Sequence, residues 1–506
     1  MTSSPTAAEE PKARGFSFRR DMLVTVGGQA AVMVGGLLLY RLLALEKGAA
    51  GLASYALIKQ LVVFSFPAVL LGLGTGIPRY VALSEDSRSA AETYLLAAVL
   101  ITGAATVVVS ALALVSPRTT AVVLLGNRNR EHLVPALVAT LVATVFLEVV
   151  AGYLRGRLDF ARRTLLLVVG VAGLPVVLLL AIPEKSVQTL ILLMAAGLFA
   201  MCVAVVALPL ARAVAAGVRR VRGPSRVLLN YGIRRIPGEF AAIVLFTFAP
   251  VLAAHFAPLK QVAYLTAGLQ ILAVVTIAFQ SIGLVFLPVL SRLFATDRET
   301  ARRYVALLAA CALHIAIFAT PQLLLFADVA ARAWLGPDFA GAGPVIRVMI
   351  FPVAFFIFYS LLHISLDAAA VKSYNSRNRL IASLAAVSAA ALLLSLGIGR
   401  PIMAVAEAFA LGVFVLGLLT LVSVSSVIGI GRSEYLLRAS IPLGLAAAAA
   451  GFGVRAAIEG STFSIPVLLL VVAAEVVLLA LYVAGLVRAG ATWPAELRSR
   501  LLRRGA

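Results

Sequence analysis

The sequence predicts an all-α polytopic membrane protein of about 14 transmembrane helices, built as two pseudo-symmetric six-helix lobes with two extra C-terminal helices. Three observations predict it. The 506 residues are 62% hydrophobic and 13% charged, with a mean hydropathy of +1.04, whereas soluble domains are nearer half apolar and a quarter charged. Apolar runs of about 20 residues, each long enough to cross a bilayer as a helix, recur from end to end. The first two runs are echoed 210 residues later. A β-barrel is excluded, because its strands would alternate apolar and polar residues over about 10 positions.

The runs occupy residues 21–43, 53–77, 91–115, 132–153, 164–182, 188–210, 231–254, 262–287, 304–326, 346–368, 380–397, 401–428, 437–454 and 465–487. Connections between them are short, and no large soluble domain is inserted. The longest are 211–230, rich in arginine, and 327–345, which contains WLGPDF.

Net charge is +21, and the basic residues sit in short loops, where they act as orientation signals rather than as a nucleic-acid surface. With the N-terminus placed in the cytoplasm, the inner tails and loops hold 31 Lys and Arg and the outer ones 11; Lys59 lies within a span. An even span count with both termini cytoplasmic follows; the expected setting is the inner membrane of a prokaryote. Loop 116–131 fits least well, since Arg118, Arg128 and Arg130 fall outside. No cleavable signal peptide is read at the start, because the first apolar run is long enough to span. Cys202 and Cys311 lie in separate apolar runs and suggest neither a disulfide nor a metal site.

The repeat is carried by a nearly constant offset. At 210, Gly28 falls on Gly238, Ala53 on Ala263, Gln60 on Gln270 and Pro78 on Pro288, with Gln29 opposite Glu239. At 208, YLRGRLDF from Tyr153 overlies LHISLDAA from Leu361. Six spans return the chain to the same side, so both copies share one orientation, as parallel transporter repeats do. The expected division is 1–20 cytoplasmic tail, 21–210 N-lobe, 211–230 basic linker, 231–430 C-lobe, 431–488 spans 13 and 14, and 489–506 cytoplasmic tail.

GLGTGIPRYVA, YLRGRLDF, YGIRRIPGEF, FLPVLSRLFATDRETARR and WLGPDFAGAGPVIRVM stand in order along residues 20–430. In these motifs and in its six-plus-six-plus-two plan, the chain resembles the polysaccharide (O-antigen and exopolysaccharide) flippases of the multidrug/oligosaccharidyl-lipid/polysaccharide exporter superfamily. Lipid II flippases resemble the same plan but usually carry a GAFS-like motif where GLGTGIPRY stands. Multidrug extruders typically have twelve spans and an acid in the first spans, which here hold no carboxylate after Asp21. The resemblance implies a functional monomer that moves a polyprenyl-pyrophosphate-linked oligosaccharide across the membrane by alternating access. Membrane lipids surround it, and glycosyltransferases or a polymerase of polysaccharide assembly are its implied partners. Lipid II flipping and cation-coupled multidrug efflux are the alternatives within the superfamily.

An ionisable residue at membrane depth is costly and marks a candidate site. Lys59 reads equally as a residue snorkelling to the interface and as a cavity cation for an anionic headgroup. Arg234 and Arg235, before Pro237, Gly238 and Glu239, read either as an interfacial ion pair or as a bidentate grip on pyrophosphate. Arg41 and Arg79, at span ends, read as interface anchors or as substrate-binding cations. Gln29 completes the substrate-binding candidates. Glu148, Glu239 and Glu407 are the candidates for coupling to Na⁺ or H⁺; Asp367, at a span end, and Glu475, outside the repeat, are less suited. His314 and His363 read as packed helix residues. No Walker-type phosphate loop and no HExxH stands in the sequence, and the outer loops are short for a glycan-transferring membrane enzyme. No enzymatic activity is expected, and no cofactor beyond a coupling ion.

Overall fold

A computed structural model describes residues 18–84, 87–233, 236–369, 374–431, 439–458 and 465–489. Among them there are helices and no strand. The N-lobe comprises α1 (Phe18–Leu70), α2 (Leu73–Ala82), α3 (Arg88–Val115), α4 (Pro117–Leu125), α5 (Val134–Gly156), α6 (Phe160–Leu167), α7 (Leu174–Ala181) and α8 (Val187–Ala215). A linker helix α9 (Arg222–Ile233) follows. The C-lobe comprises α10 (Ile236–Phe256), α11 (Leu259–Thr296), α12 (Arg298–Leu335), α13 (Gly343–Ile350), α14 (Val353–Ala369), α15 (Tyr374–Ser395) and α16 (Pro401–Ile428), and the chain continues into α17 (Ser440–Ala457) and α18 (Ile465–Arg488).

Eleven helices among the described residues are long and apolar enough to cross a membrane, and α13 with α14, bent by 42°, make a twelfth. The protein is a multi-pass membrane protein. The expected connection between spans 1 and 2 is a sharp break at one residue rather than an extended loop. Both spans belong to α1, which bends at Gly48, where φ is 67°, a value that favours glycine. The expected arginine-rich loop 211–230 is also largely helical, because Val221 and Leu228 are buried while Arg222 and Arg226 face out.

The same neighbours pack in each lobe. In the N-lobe, α3 lies on α5, α5 on α8, and the first arm of α1 against the α6–α7 region. In the C-lobe, α12 lies on α14, α14 on α16, and α10 on α15. Ser87 caps α3 by accepting from the Ala90 amide at 3.2 Å; Asp297, 210 residues on, caps α12 by accepting from the Thr300 amide at 3.0 Å. Lipid tails supply no hydrophobic drive between helices, so small residues that permit close approach hold such bundles together. Ala382, Ala386 and Ala390 form such a stripe on α15, each fully buried, and Gly412 of α16 approaches Ala386 closely. The last pair, α17 and α18, packs on α12.

Two of the sequence motifs meet in space. Gly156 of YLRGRLDF lies against Pro78 and Val81 of GIPRYVA, where a Cβ would stand 2.6 Å from Val81 Cβ. Arg155 donates to the Gly74 carbonyl at 2.7 Å.

Candidate functional site

The fifth N-lobe segment is not a regular helix. Between α6 and α7 lies a π-turn, Val168–Gly173. Pro175 follows it and has no N–H to return to the preceding turn, so the helix opens there. Such turns are frequent at functional sites. Gly35 lets α1 approach this turn, since a Cβ there would meet Ala172 Cβ at 2.5 Å.

A cavity of about 270 Å³ opens beside the turn. The second arm of α1 contributes Tyr55 and Lys59, α5 contributes Thr140, Thr144 and Glu148, and the π-turn contributes Gly170. Two sequence candidates, Lys59 and Glu148, therefore share one wall-to-wall space inside the N-lobe. Lys59 is exposed and Glu148 half-buried. The Thr140 and Thr144 hydroxyls donate to carbonyls one turn back on α5. Arg155 and Arg163 lie within Coulombic range of Glu148. A drug-sized ligand pocket is about 300–1,000 Å³, so this space suits water, an ion or a proton carrier better than an oligosaccharide.

The Lys59 ammonium lies 5.9 Å from the centroid of the Tyr40 ring, and Tyr40 stacks on Trp334 of α12 at 6.3 Å. Trp334 belongs to a latch that joins the two lobes on the face where α1 bends. Its indole N–H donates to the Leu37 carbonyl at 2.9 Å. In return Arg41 donates to the carbonyls of Ala333 and Trp334, at 2.6 and 2.7 Å. These carbonyls belong to the last turn of α12, whose orphan acceptors and negative dipole end favour a cation. Asp338 accepts from the Ala49 amide at 3.3 Å and thereby caps the second arm of α1. It also pairs with Lys260 at 3.5 Å, an exposed pair of about 0–1 kcal/mol.

A second part of the latch uses the loop that fitted the charge rule least. Arg118 pairs with Glu131 at 3.1 Å. Arg130 donates to the carbonyls of Leu125 and Ala254, and the His255 ring lies 3.0 Å from the Val123 carbonyl. These arginines stand on that face because they bind specific acceptors there.

The remaining candidates are dispersed. Arg41 is committed to the latch rather than to a cavity. Arg79 is exposed beside the end of the linker helix α9, 5.2 Å from the Tyr231 ring centroid. Gln29 is half-buried on the first arm of α1. Glu239 is half-buried in the first turn of α10. Glu407 is exposed on α16, in the other lobe from Glu148. Arg234 and Arg235 lie outside the described residues. His314 is buried beside Tyr482, and His363 stacks on Tyr359 at 5.1 Å. Cys202 and Cys311 are free and buried. Among the described residues no group of His, Cys, Asp or Glu could hold a metal ion.

Sequence reasoning missed the latch. WLGPDF was visible only as part of a loop, although its Trp, Gly and Asp in a short apolar–polar junction are turn and capping residues. It also missed Glu92, buried between Arg88 at 3.1 Å and Arg212 at 3.6 Å, because its second partner is far along the chain.

No protein-family profile and no curated protein sequence matches the chain. Solved structures do. One is an inward-facing multidrug resistance MATE family transporter of the MOP superfamily, with a TM-score of 0.65 at 16% identity over 81% of this chain and 98% of that one. The outward-facing form of a multidrug resistance MATE family transporter gives 0.55 at 16% identity, over 83% and 99%. Lipid II flippase MurJ, in an inward closed conformation, gives 0.66 at 12% identity over 93% and 100%. At these identities the likeness establishes a shared fold.

Proposed function

We propose that the protein is a flippase that moves a polyprenyl-pyrophosphate-linked oligosaccharide or polysaccharide repeat unit across the membrane by alternating access. One observation carries this reading: two like lobes meet through a polar latch on the face where α1 bends. That latch consists of a few hydrogen bonds to main-chain carbonyls and one carboxylate. Each net bond of this kind contributes about 0.5–3 kcal/mol, within reach of a binding event. Rocking of the lobes would break it, open the face it closes and close the opposite side. The fold is shared with transporters, a lipid II flippase among them, so a lipid-linked cargo is compatible with it.

The positive-inside balance puts the chain's termini in the cytoplasm and the latch on the outer face. The glycan needs a hydrated space between the lobes, the prenyl tail stays in lipid, and the pyrophosphate needs cations. By their place in the sequence, Arg234 and Arg235 are the candidates to supply them. Lys59 supplies one deeper, next to Tyr40, so an anion drawn to Lys59 competes with the ring that stacks on Trp334. Glu148 in the adjoining cavity is the carboxylate for H⁺ or Na⁺. The protein works as a monomer beside the glycosyltransferases or polymerase of polysaccharide assembly.

The test is flipping in proteoliposomes of a fluorescent lipid-linked oligosaccharide, read by a membrane-impermeant quencher. The expected result is transfer without a change of mass, abolished in the Arg234→Gln/Arg235→Gln double variant. Intact transfer in that variant at matched protein levels would overturn the role of the arginines. A change of substrate mass, or no transfer by the wild type, would overturn the function.

A further inference from the structure

A second cavity, of about 550 Å³, lies between α12, α13 and α17. Its wall is apolar: Pro321, Leu324, Ala448 and Phe452 line it, and Phe452 is 63% exposed. At one end stand two arginines from different helices. Arg347 of α13 pairs with Asp328 at 3.0 Å, and Arg455 of α17 pairs with the same carboxylate at 2.8 Å. The cluster is a built one. Gly343 lets α13 come against Asp328, where a Cβ would stand 2.9 Å from Asp328 Cβ, and Arg347 Nε also donates to the Leu324 carbonyl at 3.2 Å.

Two guanidiniums from different helices converge at the end of an apolar groove. Its depth is informative. Asp328 lies seven residues before the end of α12 and Arg455 two before the end of α17, about 10 and 3 Å at the helical rise. That is the boundary between headgroups and acyl chains. A cation pair at this depth, continuous with an apolar wall, fits an amphiphile with an anionic head. We propose that this groove binds one anionic membrane phospholipid, its phosphate on Arg347 and Arg455 and an acyl chain along Pro321, Leu324 and Phe452. Guanidinium forks suit phosphate oxygens. The bound lipid completes the seat of α17 on α12.

The experiment uses the full-length protein in nanodiscs doped with photoactivatable phosphatidylglycerol or phosphatidylcholine, with crosslinks mapped to peptides. Phosphatidylglycerol should label α12 and α17 about tenfold more than phosphatidylcholine, the weight of one charge-assisted bond. Arg347→Gln/Arg455→Gln should abolish that preference. Asp328→Asn should raise it, because the competing carboxylate is gone. Equal labelling by both lipids, or a preference unchanged in the double variant, overturns the proposal. Displacement of the probe by inorganic phosphate marks a soluble-anion site and overturns it too. If the double variant does not fold, Asp328→Asn decides: a preference that falls there means the cluster only pins α17 to α12.

Discussion

The two lobes share a plan but differ in what fills them. At the offset of 210, Gly36 and Lys59 of the N-lobe correspond to Phe246 and Leu269 of the C-lobe; at 208, Glu148 corresponds to Phe356. In the C-lobe these positions are packed. Phe356 is 2% exposed and lies 5.8 Å from the Phe246 ring, which lies 6.5 Å from Phe409. In the N-lobe, nothing stands within 4 Å of where a Gly36 Cβ would be, and Lys59 and Glu148 line a cavity. The regular fifth segment of the C-lobe, α15, is matched in the N-lobe by a π-turn. At these positions, among the described residues, the C-lobe is packed and apolar, whereas the N-lobe counterparts line a charged cavity. A repeat therefore conserves helix positions, while side-chain volume decides which copy can hold an ion or water.

The sharpest way to break this comparison is to exchange the charges. Phe356→Glu should place an uncompensated carboxyl in a packed lobe, at a cost of about 3–5 kcal/mol, and should be read as loss of monodisperse protein in detergent. Glu148→Phe should be tolerated, because the cavity receives the ring. If both substitutions cost the same, the lobes do not differ as described.

Next in size is function without folding. Glu148→Gln and Lys59→Gln should leave the melting temperature nearly unchanged, since neither residue closes a packed core, yet reduce proteoliposome transport by more than about tenfold. Full transport by both variants would make the hollow incidental.

The latch should give a smaller, graded effect. Arg41→Gln removes a charged donor from two α12 carbonyls, worth about 1.5–3 kcal/mol. Opening on the Gly48 face should rise, read as faster labelling of a cysteine introduced at Leu38 by an impermeant thiol reagent. Labelling unchanged from that of the same cysteine in the wild-type background would show that the latch does not hold the lobes.

The smallest effect concerns the paired caps. Hydrogen bonds from the Thr300 hydroxyl and amide hold the Asp297 carboxyl below the usual aspartate range. Its folded pKa is depressed, so the cap contributes above the unfolded aspartate's pKa and is lost as pH falls through the folded one. Ser87 does not titrate there. Amide exchange at Thr300 should therefore accelerate below the ordinary aspartate range, while that at Ala90 should not. Equal acceleration at both would remove the cap as its cause.

The sequence by itself determined the helical class and the membrane setting, because partition into lipid is a local sum over each run of residues. It also determined the repeat, since equal spacing of Gly28 and Gly238, or Pro78 and Pro288, is written along the chain. It marked Lys59 and Glu148 as costly charges without showing that they share a space. It placed a loop at Gly48, where a single left-handed residue suffices to turn the helix. Only the tertiary structure decided the partners of Arg41, Trp334 and Asp338, because each binds main-chain atoms nearly 300 residues away that carry no side-chain signature. Only it decided the hollow, since a void is set by the volumes of side chains from several helices meeting at one point, and no single segment contains that sum.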